Sequence, residues 1–143
     1  MDEPFGLARF VDAQDAMMGA VEAELRAGRK SSHWMWFVFP QLRALGRSGM
    51  ALHFGITGME EARAYSRHPV LGPRLAHCAG LVLAHAGRAS AHAIFGSPDD
   101  LKLRSSMTLF AAADPDEPVF AAVLDAFYGG EADPLTKRLL DAP

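Results

Sequence analysis

Three stretches of the chain concentrate groups able to do chemistry. Ser31-Ser32-His33-Trp34-Met35-Trp36 sets a titratable imidazole between hydroxyls and two indoles. An indole offers a face for stacking on a base or a cation plus one N–H donor, and an imidazole beside an apolar wall is tuned toward neutrality, which suits proton transfer. Pro40-Gln41-Leu42-Arg43-Ala44-Leu45-Gly46-Arg47-Ser48-Gly49 follows closely. Its two arginines, four apart and ending in a glycine-bounded turn, can hold a phosphate or carboxylate through forked donors and free backbone N–H groups. The third stretch, Asp99-Asp100-Leu101-Lys102-Leu103-Arg104-Ser105-Ser106-Met107-Thr108, opens with two carboxylates and carries two bases and three hydroxyls on the turns that follow. Asp100 can act there as base or anchor while Lys102 or Arg104 meets a ligand's charge. These patterns nominate His33 and Asp100 as catalytic groups, and Ser32, Trp34, Trp36, Gln41, Arg43, Arg47, Lys102, Arg104 and Ser105 as ligand contacts.

Each nomination has a plainer reading beside it. Ser32 can cap a helix whose Trp and Phe side chains fill the core. Arg43 and Arg47 can be solvated side chains of a surface turn. Asp100 and Arg104 can form an intrahelical pair worth about 0.2–0.5 kcal/mol, and Ser105 and Ser106 can bond the carbonyl four residues back. Other chemistries lack their residues. His77, His85 and His92 include no pair at i and i+4, and no acid lies between Glu61 and Asp99 to join them, so no metal site is expected. The single Cys78 excludes an internal disulfide framework and a cysteine-built metal site. There is no Ser-x-x-Lys, no Gly-x-Ser-x-Gly, no Walker loop and no dinucleotide fingerprint, so no cofactor is expected. Gln14, on the side of Phe10 and Met18, is either satisfied in the core or lines a pocket.

The charge pattern narrows the partners. Residues 1–24 hold one Arg against six acids, residues 25–98 nine bases against two acids, and residues 99–143 four bases against nine acids. A basic middle between acidic ends can draw an anionic ligand into one cleft, or its helices can pair with the acidic ones inside the fold. Nucleic-acid binding is not expected at a pI near 6.0 with no basic run longer than Arg29-Lys30.

The elements that must position these groups are helical. Leu7, Phe10, Val11, Met18, Val21 and Leu25 recur at helical spacing and Gly28 supplies a stop, predicting one helix over 7–27. Thr57-Gly58-Met59-Glu60 reads as a capping box opening a helix that His68-Pro69 closes. Pro73 sits in the first turn of a helix running to Ala86, and Ser97-Pro98-Asp99-Asp100 starts one running to about Ala112. The stripe Val119, Phe120, Val123, Leu124, Phe127 ends at Gly129-Gly130, and Asp133-Pro134 caps a last short helix. His33–Pro40 fits either a buried strand, paired with the alternating Ala51–Ile56, or a two-turn buried helix. The helical company favours the helix.

Length and composition agree with this. At 143 residues, 50% apolar and 22% charged, with mean hydropathy +0.04, the chain predicts one domain over 1–143 that buries roughly 70% of its extended surface. No run approaches the roughly 20 apolar residues of a membrane span, and Asp2 and Glu3 begin no secretory signal, so a cytoplasmic compartment is expected.

Ser-His-Trp-Met-Trp-Phe-Val-Phe-Pro-Gln-Leu at 32–42, His-Pro-Val-Leu-Gly-Pro-Arg-Leu at 68–75 and Phe-Gly-Ser-Pro-Asp-Asp-Leu-Lys-Leu-Arg-Ser-Ser-Met-Thr-Leu-Phe at 95–110 resemble the bacterial family of unknown function numbered 1810. The resemblance spans nearly the whole chain. It implies a compact all-α bundle, of about six to eight helices by the reading above, with 33–39 helical, and it carries no catalytic residues to transfer. The expectation is thus a helical domain that binds a small anionic, nucleotide-derived ligand between 32–47 and 99–106 and, if chemistry occurs, hydrolyses it or transfers a group without metal, with a non-catalytic docking module as the alternative. No membrane partner is expected, and the sequence assigns no oligomeric state.

Overall fold

The computed structural model describes residues 4–141, which form ten α-helices and no sheet. The predicted helix over 7–27 is two, α1 (Ala8–Asp15) and α2 (Met18–Ala27), broken at Ala16-Met17. The break has a tertiary cause. α1 packs on α3 (Met35–Val38), and α2 packs on α6 (Leu71–Leu83), so one straight rod would serve only one of these neighbours. Gln14, 2% exposed at the end of α1, donates to the Phe37 carbonyl at 2.7 Å and to the Tyr65 hydroxyl oxygen at 2.9 Å. It is a satisfied core amide. α2 stops where expected, at left-handed Gly28, whose φ of 72° an L side chain rarely adopts.

The 33–39 stretch is helical but makes a single turn, α3. Ala51–Ile56 is not its strand partner. Ser48 accepts a bond from the Ala51 N–H at 3.1 Å and starts α4 (Gly49–Phe54), so alternation there reflects a half-buried helix. Among the described residues, extended pairing survives only as one parallel bridge between Leu42 and Ile56, beside a 3-10 turn at Arg43–Leu45.

α5 (Met59–Arg67) begins after Gly58 as expected, but the capping box does not form as read: both the N–H and the hydroxyl of Thr57 donate to Glu61, not Glu60, and among the described residues no backbone N–H bonds the Thr57 side chain. His68 takes the extended conformation that Pro69 imposes. Its Nδ1 then accepts the N–H groups of Val70 and Leu71, at 3.1 and 3.2 Å, at the head of α6. α7 (Ala91–Phe95), capped by Ser90, is an element the sequence reading lacks. α8 (Asp99–Ala113) is the central rod. Every residue from Ser105 to Phe110 is buried, and it packs against α5, α7, α9 (Val119–Tyr128) and α10 (Pro134–Asp141). Burial all round explains why α8 shows little apolar periodicity. Aromatic contacts bind the interior: Tyr65 meets Phe10 at 5.1 Å and Phe110 at 5.2 Å, and Phe110 meets Phe120 at 6.0 Å.

Candidate functional site

The first nominated stretch is organised by an acid outside it. Glu24 Oε1, on α2, accepts the N–H groups of Ser31 and Ser32 at 2.7 and 2.8 Å and the Trp34 indole N–H at 3.0 Å. Partial burial raises this carboxyl's pKa, but the converging donors outweigh it and bring it down to about 2. Trp34 is fully buried, its ring flanked by Phe39 and Phe95, with the Lys30 ammonium 5.0 Å from its centre. It offers no face to a ligand; as a stacking platform it is corrected to a core residue with a satisfied donor. Ser32 gives its backbone to Glu24 and Lys30. His33 stands exposed.

The third stretch does meet the first. Asp99 pairs with Lys30 at 2.9 Å and with Lys102 at 3.4 Å, and the Lys102 ammonium sits 3.6 Å over the centre of the half-buried Trp36 ring. Between Trp36, Gln41 and Lys102 lies a void of about 10 Å³. That is at the lower limit for one water, so the contact is packing and not a ligand cleft. The remaining nominees serve the fold. Arg104 donates to the carbonyls of Glu131 and Ala132 at 2.8 and 3.0 Å, and not to Asp100. Buried Ser105 bonds the Leu101 carbonyl at 3.2 Å. Asp100 faces His92 at 3.4 Å, and no bond joins it to His33 among the described residues. An acid–base couple of His33 and Asp100 is therefore not assembled.

The second stretch leads to open space. Arg43 borders a hollow of about 530 Å³ with Arg9, His53, Thr57 and Glu61, four residues the sequence reading did not nominate. Two of these are spoken for. Arg9 spends all five guanidinium N–H groups: on the carbonyls of His53 (2.7 Å), Phe5 (2.8 Å), Gly6 (3.0 Å) and Gly55 (3.2 Å), and on Glu61 Oε2 (2.8 Å). Glu61, 1% exposed, also accepts the Thr57 N–H and hydroxyl at 2.8 and 2.9 Å. The free charge at the hollow is Arg43, which is exposed and unpaired among the described residues. Arg47 is likewise exposed on the adjoining turn. One signal for this place was visible: Glu60 and Glu61 are the only acids between Glu24 and Asp99.

Elsewhere, reactive groups are muted. Cys78 is 1% exposed, and burial, with the nearby Glu22 charge, pushes its thiol up to about 12. Among the described residues no three His, Cys, Asp or Glu side chains converge as metal ligands, and no helix is long and apolar enough to cross a membrane.

Comparison with curated proteins returns no match. Among solved structures, the conserved hypothetical protein Rv1873 from Mycobacterium tuberculosis, a crystal structure at 1.38 Å, is 54% identical. The match covers 99% of this chain and 100% of that one, with a TM-score of 0.95. The profile of a family described as "Protein of unknown function (DUF1810)" matches residues 4–140. With the ten-helix fold and the motifs at 32–42, 68–75 and 95–110, this places the chain in that family: it is a DUF1810 protein.

Proposed function

We propose that this protein binds a small anionic ligand in the hollow beside Arg43, and that it binds without catalysing. The observation that carries the reading is the unpaired Arg43 guanidinium at the lip of a 530 Å³ space whose other arginine is neutralised by Glu61. A forked donor with no partner among the described residues is suited to a carboxylate or phosphate. His53, exposed against Phe54 at 4.5 Å, adds a second polar group on the same rim. The site originally expected between 32–47 and 99–106 thus keeps its Arg43 end and loses its indole end. The docking-module alternative gains less support, because three bases of the basic middle already pair with acids of the two ends within the chain: Arg74–Asp15 at 2.7 Å, Lys30–Asp99 at 2.9 Å and Arg26–Glu22 at 3.6 Å.

Thermal unfolding with inorganic pyrophosphate, phosphate and nucleoside monophosphates tests the reading. A ligand at a hundred times its dissociation constant adds about 2.7 kcal/mol, a rise of several degrees. Arg43→Ala, at an exposed position, should leave the unliganded Tm unchanged and weaken binding about tenfold or more, the value of a charge-assisted bond. Absence of any anion-dependent shift, or a shift that Arg43→Ala leaves intact, refutes it.

A further inference from the structure

Two more cavities share lining residues with the Arg43 hollow or with each other. The first meets the Arg43 hollow at Thr57 and measures about 630 Å³, bounded by Leu42, Ala44, Met59, Glu60, Leu139 and Leu140. The second shares Met59 and Leu140 and extends about 300 Å³ between α8, α9 and α10, along Ala111, Ala112 and Leu124. The lining therefore changes character along its length. At one end stands the Arg43 guanidinium, unpaired among the described residues; the middle cavity is walled mostly by Leu, Ala and Met, and Lys137 and Asp141 border the far one.

Glu60 fixes the direction in which a ligand would lie. It is exposed in the first turn of α5 and borders the middle cavity, so that helix start is already supplied with a negative charge. A second anion there is repelled, whereas at Arg43 it is attracted. An apolar chain passes Glu60 without that penalty. Leu139 and Leu140 are only half-buried on the terminal helix α10, so hydrocarbon laid against them removes further apolar surface from water.

We infer that the occupant of the Arg43 hollow is a single-chain amphiphile, with its anionic head on Arg43 and its alkyl tail running past Met59 toward Leu139 and Leu140. The inference rests on the anion reading above and adds the tail. The head is a carboxylate or a phosphate monoester; the shared chemistry is an anion on a hydrocarbon chain.

Isothermal titration with butanoate, octanoate, octyl phosphate and 1-octanol, all below micellar concentrations, tests it on the full chain. Each methylene that leaves water multiplies affinity by up to about fourfold, so octanoate should bind about tenfold or more tightly than butanoate. Octanoate against octyl phosphate decides which head is preferred. Octanoate, and not butanoate, should shift the NMR methyl signals of Leu139 and Leu140. Ala44→Phe, placed on an exposed wall position, should abolish the chain-length dependence while leaving butanoate binding as it was. Equal affinities for butanoate and octanoate, or unmoved Leu139 and Leu140 methyls, overturn the tail and leave the anion reading standing. If 1-octanol binds as tightly as octanoate, and Arg43→Ala changes neither, the anion reading falls with it.

Discussion

Glu24 shows how one side chain converts a chemically suggestive string into a structural joint. Its carboxylate gathers two backbone N–H groups and an indole N–H, the last two of them part-buried, at the edge of the core. Glu24→Ala should cost about 1–3 kcal/mol in urea unfolding, the penalty for stranded donors. The pH dependence has a definite sign. Because its folded pKa of about 2 lies below the ordinary value of 4.5, the contribution is whole above pH 4.5 and drains away as pH falls toward 2. The acid limb of the stability curve should therefore be shallower in Glu24→Gln than in the wild type over that window; parallel limbs would contradict the assignment. The residue types in 31–36 were legible, but their employment was not. Nothing in the order Ser-Ser-His-Trp marks an acceptor seven to ten positions upstream, because that closeness comes from the turn after Gly28 bringing the chain back on α2.

At the scale of the element, boundaries set by local chemistry could be read directly. Gly28, Pro69, Pro98 and Gly129 each act on their own φ or on the preceding residue's, and the ends of α2, α5 and α9 and the start of α8 fall where these residues put them. The break at Ala16-Met17 has no such marker. Both halves keep helical spacing, and the bend follows from docking α1 on α3 and α2 on α6. α7 escaped because five residues are too few to display a period. α6 lets propensity and packing be separated within one helix. A Cβ on Gly72 would fall 2.1 Å from the Ser66 carbonyl oxygen, where α5 turns into α6, whereas at Gly80 nothing lies within 4 Å. Gly72→Ala should destabilise by about 1–3 kcal/mol through overpacking against backbone. Gly80→Ala should stabilise by about 0.5–1 kcal/mol through helix propensity. Thermal denaturation of the two variants checks both, and like signs would show that packing at this corner had been misread.

On the scale of the molecule, Arg9 is the clasp. Three of its five hydrogen bonds tie α1 to the end of α4 and to Glu61 on α5, joining parts of the chain 44–52 positions apart, and the other two hold the segment before α1. Removing it abandons a nearly inaccessible carboxylate. Arg9→Met should cost about 3–5 kcal/mol in chemical denaturation, while Arg9→Met with Glu61→Leu should recover part of that loss because no charge remains buried. A single variant within about 0.5 kcal/mol of wild type, the range of ordinary surface changes, would show that the clasp carries no weight.

Composition, capping residues and turn residues were enough to establish an all-α chain and most of its helix ends, since these effects operate over one to four positions. The charge blocks pointed to pairing between the basic middle and the acidic ends, and three bases of the middle, Arg26, Lys30 and Arg74, pair that way. Which arginine is consumed and which is left facing solvent could not be foreseen. Arg9 and Arg43 are the same residue type near similarly polar neighbours, and they differ only because folding surrounds one with four carbonyls and a carboxylate and leaves the other at the rim of an open space. That difference is made by contacts between distant segments, and spacing along the chain does not encode it.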